Sequence, residues 1–256
     1  MLDETDVLQD ALQEWKRPDL SENRPPPLVI EVYVDTSHLR ENQALVMVDD
    51  TGKRWDVSDA LAGSADSSPR PQNKSGRKHY EVMLERWTIE LGDPAGYSAA
   101  ELNDQLPNVY KKGVVLFRSL YTFLRFLPAW RLHRRLGRQP GKHQALRLKF
   151  RIREGAQRIL PQGQKDALST PLCPSDSNNT ATVSSKTTER HALQPLACPA
   201  GLLRVKLDYR SNQDLDTVDV EALLSSRLDS EYYLRDYSLS TSQLHSHEPA
   251  VEYIDL

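Results

Sequence analysis

Residues 110–160 contain fourteen Lys and Arg against one acid, Glu154, for a net +13; the remainder carries −16, within an overall charge of −3. Guanidinium groups at this density suit one chemistry in particular, the bidentate holding of phosphate or carboxylate. Arg125, Arg131, Arg134 and Arg210 would converge into such an anion site if the end of the apolar stretch 110–127 packed over the last strand. Two other readings compete. A solvated sheet face plus a helix end, where cations suit the helix dipole, needs no ligand at all. A nucleic-acid or acidic-membrane surface would use the same charge, but aromatic stacking positions are not interleaved with it and the acidic remainder repels a long polyanion.

Other chemistries lack their residues. The sequence holds no glycine-rich phosphate loop, no zinc-spaced Cys or His pairs and no nucleophile elbow, so no catalytic residue, metal or cofactor is expected. His245 and His247 lie in a polar stretch, and His133 and His143 sit among arginines that disfavour a charged imidazole. Asp49 and Asp50 precede Gly52, where a turn claims them before a metal does. Two cysteines, Cys173 and Cys198, and the lack of a signal-peptide pattern point to a reducing cytosolic compartment. The longest apolar run, 113–130, is broken by Arg118, Arg125 and Pro128, short of the roughly 20 residues of a membrane span.

The elements that must position the arginines follow from periodicity. Residues 28–35 read as a β-branched strand; 43–48 and 53–57 flank the Gly52 turn as a hairpin; 82–91 is a strand with Glu85 misplaced on its apolar face. Tyr110, Val114, Phe117, Tyr121 and Leu124 form one helical stripe, widened by Val115, Leu116, Leu120, Phe123 and Leu127, which predicts a helix buried on several sides. Pro128 stops it, and a short basic helical turn, 130–136, follows. Residues 145–153 and 203–210 alternate apolar and basic. Pairing these two strands would build an Arg and Lys comb, offset by Glu31 and Glu90 if their strands lie alongside. The polar stretches 63–79 and 161–195 read as disordered inserts, the second rich in hydroxyls that could accept phosphate. Residues 218–228 read as an amphipathic helix and 229–256 as a tail.

Four motifs in order, PPLVIEVYVDTSH (26–38), LERWTIEL (84–91), VYKKGVVLFRSLY (109–121) and LPAWRLHR (127–134), resemble the N-terminal HORMA domain of the autophagy-related protein 13 family, in its filamentous-fungal form. The resemblance covers roughly residues 2–212. It implies an α+β fold, an antiparallel sheet backed by helices, with 1–212 as the HORMA-like domain and 213–256 as a short helix and tail. It implies that a long opening helix is missing before residue 2 and that the family's long disordered region with kinase-binding and scaffold-binding motifs is absent beyond Leu256, so that this chain would be truncated, would fold poorly alone and could not activate the kinase. By the same resemblance the protein is a noncatalytic regulatory and adaptor subunit of the autophagy-initiating kinase complex. It would activate the partner serine/threonine kinase in response to nutrient (TOR) signalling and recruit factors to the phagophore assembly site, from the cytoplasm. Implied partners are a second HORMA protein (autophagy-related protein 101), autophagy-related protein 9 and the phosphatidylinositol 3-kinase complex. An arginine-lined phosphate pocket, carried over to Arg118, Arg125, Arg131 and Arg210, is implied as well.

Overall fold

In the computed structural model, residues 12–16, 24–49, 51–63, 80–92, 105–139, 145–154, 168–173, 187–198 and 200–228 are described. Two antiparallel sheets carry the fold. The larger is built from β1 (Leu28–Asp35), β4 (Glu81–Gly92), β5 (Arg147–Glu154), β6 (Thr188–Ala192), β7 (Leu196–Cys198) and β8 (Gly201–Arg210), in the order β5-β1-β4-β8-β6, with β7 also on β8. The smaller joins β3 (Arg54–Asp56), β2 (Gln43–Val48) and β9 (Leu215–Asp219) in that order. Helices α1 (Gln13–Lys16), α2 (Val57–Gly63), α3 (Leu106–Leu124), α4 (Pro128–Gly137) and α5 (220–228) complete the described elements.

The β2–β3 hairpin turns as its sequence predicts. Gly52 takes φ 84°, and Asp49 accepts the amides of Thr51 and Lys53 on Oδ1 and the Trp55 indole on Oδ2. Slight burial pushes the Asp49 carboxyl up, but these donors outweigh it and hold it below the ordinary carboxylate range. Gly201, at φ 130°, lets the β7–β8 turn press on the end of β4, where a Cβ would meet the Gly92 carbonyl oxygen at 2.8 Å.

A bulge explains Glu85. Val32 pairs with Glu85 but Tyr33 pairs with Met83, so Leu84 is the extra residue and Met83, Leu84 and Glu85 are all buried. The β4–β8 ladder stops at Glu85 and Tyr209, and side chains take up the backbone carbonyls beyond it. Arg210 Nε donates to the Met83 carbonyl at 3.2 Å and Gln213 Nε2 to that of Leu84 at 3.3 Å. The Glu85 carboxylate accepts the Trp87 indole at 3.1 Å. Burial pushes the Glu85 carboxyl above its ordinary range, and the Trp87 indole and the Ala129 amide at the start of α4 oppose the shift only in part.

The two helices reverse their expected roles. α4 buries Ala129, Leu132 and Leu136, at helical spacing, in the main core cluster between the sheets, with Val34, Met47, Leu84, Leu146 and Leu215 among its neighbours. α3, expected to be a core helix, buries only Leu116; Tyr110, Val115, Phe117, Tyr121 and Leu124 are exposed. It packs on one sheet only, where Leu116, Leu120 and Phe123 meet Trp87 of β4, Val205 and Leu207 of β8 and Leu193 and Leu196 beside and in β7. An apolar stripe wider than that single contact leaves the excess in solvent.

Two further expectations are corrected. β5 pairs with β1, and β8 pairs with β4, so the two alternating strands do not pair with each other. Within the span 161–195, Leu168, Thr170 and Leu172 are buried and Thr188–Ala192 forms β6. Residues 161–167 and 174–186 of that span, residues 64–79, the opening residues 1–11 and the tail 229–256 lie outside the described residues.

Candidate interaction surface of helices α3 and α4

The basic side chains sort into two groups by whether an acid faces them. On the large sheet, inter-strand pairing sets acids of β1 and β4 against the combs of β5 and β8. Glu31 of β1, 4% exposed, accepts Arg86 at 3.2 Å, Arg151 Nε at 2.7 Å and Arg153 Nε at 3.0 Å. Arg151 also reaches Glu81 at 2.5 Å, and Asp35 holds Lys149. On the other side Glu90 holds Lys206 at 2.8 Å, and Asp208 holds Arg190 at 2.5 Å. Burial pushes the Glu31 carboxyl up, but the Arg151 hydrogen bond and the charges of Arg151, Arg153 and Arg86 prevail and hold it below the ordinary range. Asp35 follows the same pattern: burial raises it, and Lys149 and Ser37 pull it lower still. This half of the basic segment is therefore neutralised within the fold.

On α3 and α4 the acids are missing. Arg118, Arg125, Arg131, Arg134 and Arg138 are all exposed, and none has an acidic partner among the described residues. Arg125 lies against Tyr121, its guanidinium 4.4 Å from the ring centroid and hydrogen-bonded to the phenol. Arg134 and Arg135 occupy the last turn of α4, where cations suit the helix dipole. Arg135 is otherwise engaged, pairing with Asp214 and donating to the Leu215 carbonyl at 2.8 Å, which ties α4 to β9.

Arg210 is not among this group. At 2% exposed, it donates Nη1 to the Thr170 carbonyl at 2.7 Å as well as Nε to Met83, fastening 168–173 and the β4 bulge to the end of β8. The alternation of β8 placed it outward with Lys206, and the end of the β4–β8 ladder turned it inward.

The two exposed flanks of α3 differ. One carries Tyr110, Phe117, Tyr121 and Leu124 in a continuous apolar stripe, with Phe117 63% exposed. The other forms a groove of about 930 Å³ against residues 191–196, with Leu116, Phe123, Leu193 and Leu196 in its lining and Lys111 and Arg118 at the helix side. Sequence reasoning missed the groove's second wall because 191–195 fell inside a stretch read as a polar insert; Leu193 and Leu196, apolar residues on either side of Pro195, were the available signal. The Glu31 cluster was legible only as a conditional, since it required knowing which strands are neighbours.

Among the described residues no helix is long and apolar enough to cross a membrane, and no group of three His, Cys, Asp or Glu could hold a metal. The sequence profile described as Autophagy-related protein 13 matches residues 1–215. The autophagy-related protein 13 of Emericella nidulans is 45% identical over 226 residues, 88% of this chain and 22% of that protein. That of Penicillium rubens is 42% identical over the same shares. The chain thus spans about a fifth of the length of these curated relatives. A solved Atg13 HORMA domain is similar with a TM-score of 0.55 at 28% identity, covering 82% of this chain and 87% of that one, so the expected α+β HORMA fold is borne out. With the four motifs, the sheet order and these relatives in agreement, the chain belongs to the autophagy-related protein 13 family.

Proposed function

We propose that this chain is the docking module of a noncatalytic regulatory subunit of the autophagy-initiating kinase complex, working from the cytoplasm at the phagophore assembly site. The observation that carries the reading is the apolar stripe Tyr110, Phe117, Tyr121 and Leu124, left in solvent on a helix that packs only its Leu116, Leu120 and Phe123 face. Exposed apolar surface of this continuity, rimmed by Arg125 and other cations, marks a protein interface in a chain whose relatives act in autophagy. A second HORMA subunit of the type of autophagy-related protein 101 is the partner that the stripe serves. Recruitment of autophagy-related protein 9 and of the phosphatidylinositol 3-kinase complex, and activation of the kinase when nutrient (TOR) signalling stops, belong to the full-length protein on this reading.

The exposed arginines supply a second element of the proposal. Arg118, Arg125, Arg131 and Arg134 offer guanidinium groups to a phosphorylated or carboxylate-bearing partner, while Arg210 keeps its place in the core. The test is a pull-down of autophagy-related protein 101 and of the kinase complex with the wild-type chain and with the double substitution Phe117→Asp and Tyr121→Asp. Capture by the wild type and its loss in the variant, with the melting curve unchanged, is the expected result. Equal capture by both would remove the stripe from the interface.

A further inference from the structure

The groove on the opposite flank of α3 is built differently from the stripe and asks for a different occupant. Its floor is apolar, from Leu116, Phe123, Leu193 and Leu196, and its far wall is pinned by the Leu193 amide on the Val205 carbonyl at 3.0 Å and by His191 stacked on Phe123 with ring centroids 4.2 Å apart. Among the described residues no acid lines it, and the cations along α3 are Lys111, Lys112 and Arg118. Lys111 and Arg118 stand seven residues apart, two helical turns or about 10 Å along the axis. Neither has an acidic partner among the described residues. An uncharged apolar helix would leave both cations facing it unpaired, and a polyanion without apolar side chains would leave the floor wet.

We propose that this groove binds an acidic amphipathic helix of a partner protein: apolar side chains at helical spacing enter between α3 and 191–196, and two carboxylates about two turns apart meet Lys111 and Arg118. Charge complementarity argues for this occupant over a second copy of the chain, because an identical α3 would bring Lys111 and Arg118 against cations of its own kind. The inference does not depend on the apolar stripe, which faces the other way.

The test uses the whole 256-residue chain and a fluorescein-labelled, alanine-based helical peptide of about 18 residues, with leucines at the spacing of one face and two glutamates seven apart beside them. Fluorescence anisotropy is expected to show binding that weakens as salt rises. Lys111→Glu with Arg118→Glu should weaken it about tenfold or more, and a peptide with lysines in place of the glutamates should recover binding to that variant. Arg138→Glu, off the groove, should change nothing, and melting curves should coincide throughout. The proposal is overturned if a glutamine version of the peptide binds as tightly, if the charge-reversed variant binds the acidic peptide unchanged, or if the chain binds no peptide at all. Association with acidic lipid vesicles without peptide binding, or self-association that excludes the peptide, would equally overturn it in favour of that occupant.

Discussion

The polar face of the large sheet and the surface of α3 and α4 are made from the same stretch of basic sequence, yet they end in opposite electrostatic states. On the sheet, Glu31 lies opposite Arg86 on one side and Arg151 on the other, because β1 sits between β4 and β5. Of the arginines on α3 and α4 only Arg135 meets an acid among the described residues, Asp214, and Arg118, Arg125, Arg131, Arg134 and Arg138 stay in solvent. Charge density along a chain therefore does not measure charge available to a partner. Strand order consumes part of it, and what survives lies on elements whose neighbours are apolar.

The most damaging way to break this comparison is Glu31→Ala. Three guanidinium groups would then share only Glu81, on Arg151, as counter-charge, and a loss of about 3 kcal/mol is expected, the low end for a broken buried pair since the arginines keep some solvent contact. Urea denaturation measures it, and a loss below about 0.5 kcal/mol, the scale of an ordinary surface change, would show the cluster to be solvated. The pH dependence has a definite sign. Because the folded Glu31 and Asp35 carboxyls lie below their ordinary values, their stabilisation is present above pH about 4 and is lost as pH falls through the folded values. Glu31→Ala should make that acid limb shallower.

Arg210→Ala comes next in size. Removing the donors to Met83 and Thr170 leaves carbonyls unsatisfied in the core and should cost about 2 kcal/mol in the same titration, with anion binding at α3 and α4 unaffected. A variant of full stability that loses anion binding would return Arg210 to the exposed group. The smallest effect should come from Arg131→Ala with Arg134→Ala, within about 0.5 kcal/mol, because neither guanidinium has an acidic partner to lose. A larger change would mean that the helix surface is as internally committed as the sheet, and the comparison would fail.

Much of the architecture could be read directly. β1, the β2–β3 hairpin with its Gly52 turn and the break at Pro128 follow from residue types and spacing that act within a few positions of one another. The Arg210 reading failed for a reason of the same scale: β4 stops pairing with β8 one residue earlier, at Tyr209, while β6 pairs on through Arg210, and the Met83 carbonyl left open on β4 takes the guanidinium. Glu85 showed as an anomaly in its strand, but the bulge that buries it needed the register of β1 against β4, strands about 50 residues apart in sequence.

The sequence by itself determined the main strands and the two principal helices, the family, and the imbalance of charge, because these depend on local backbone preference and on composition. Only the tertiary structure decided where the charge is spent and which helix is buried. α4, the more basic of the two, has a narrow apolar stripe that a core between two sheets can cover completely, while α3 has a broad one that a single sheet face cannot. How much apolar surface is buried depends on how many walls meet it, and that number is a property of packing between distant segments.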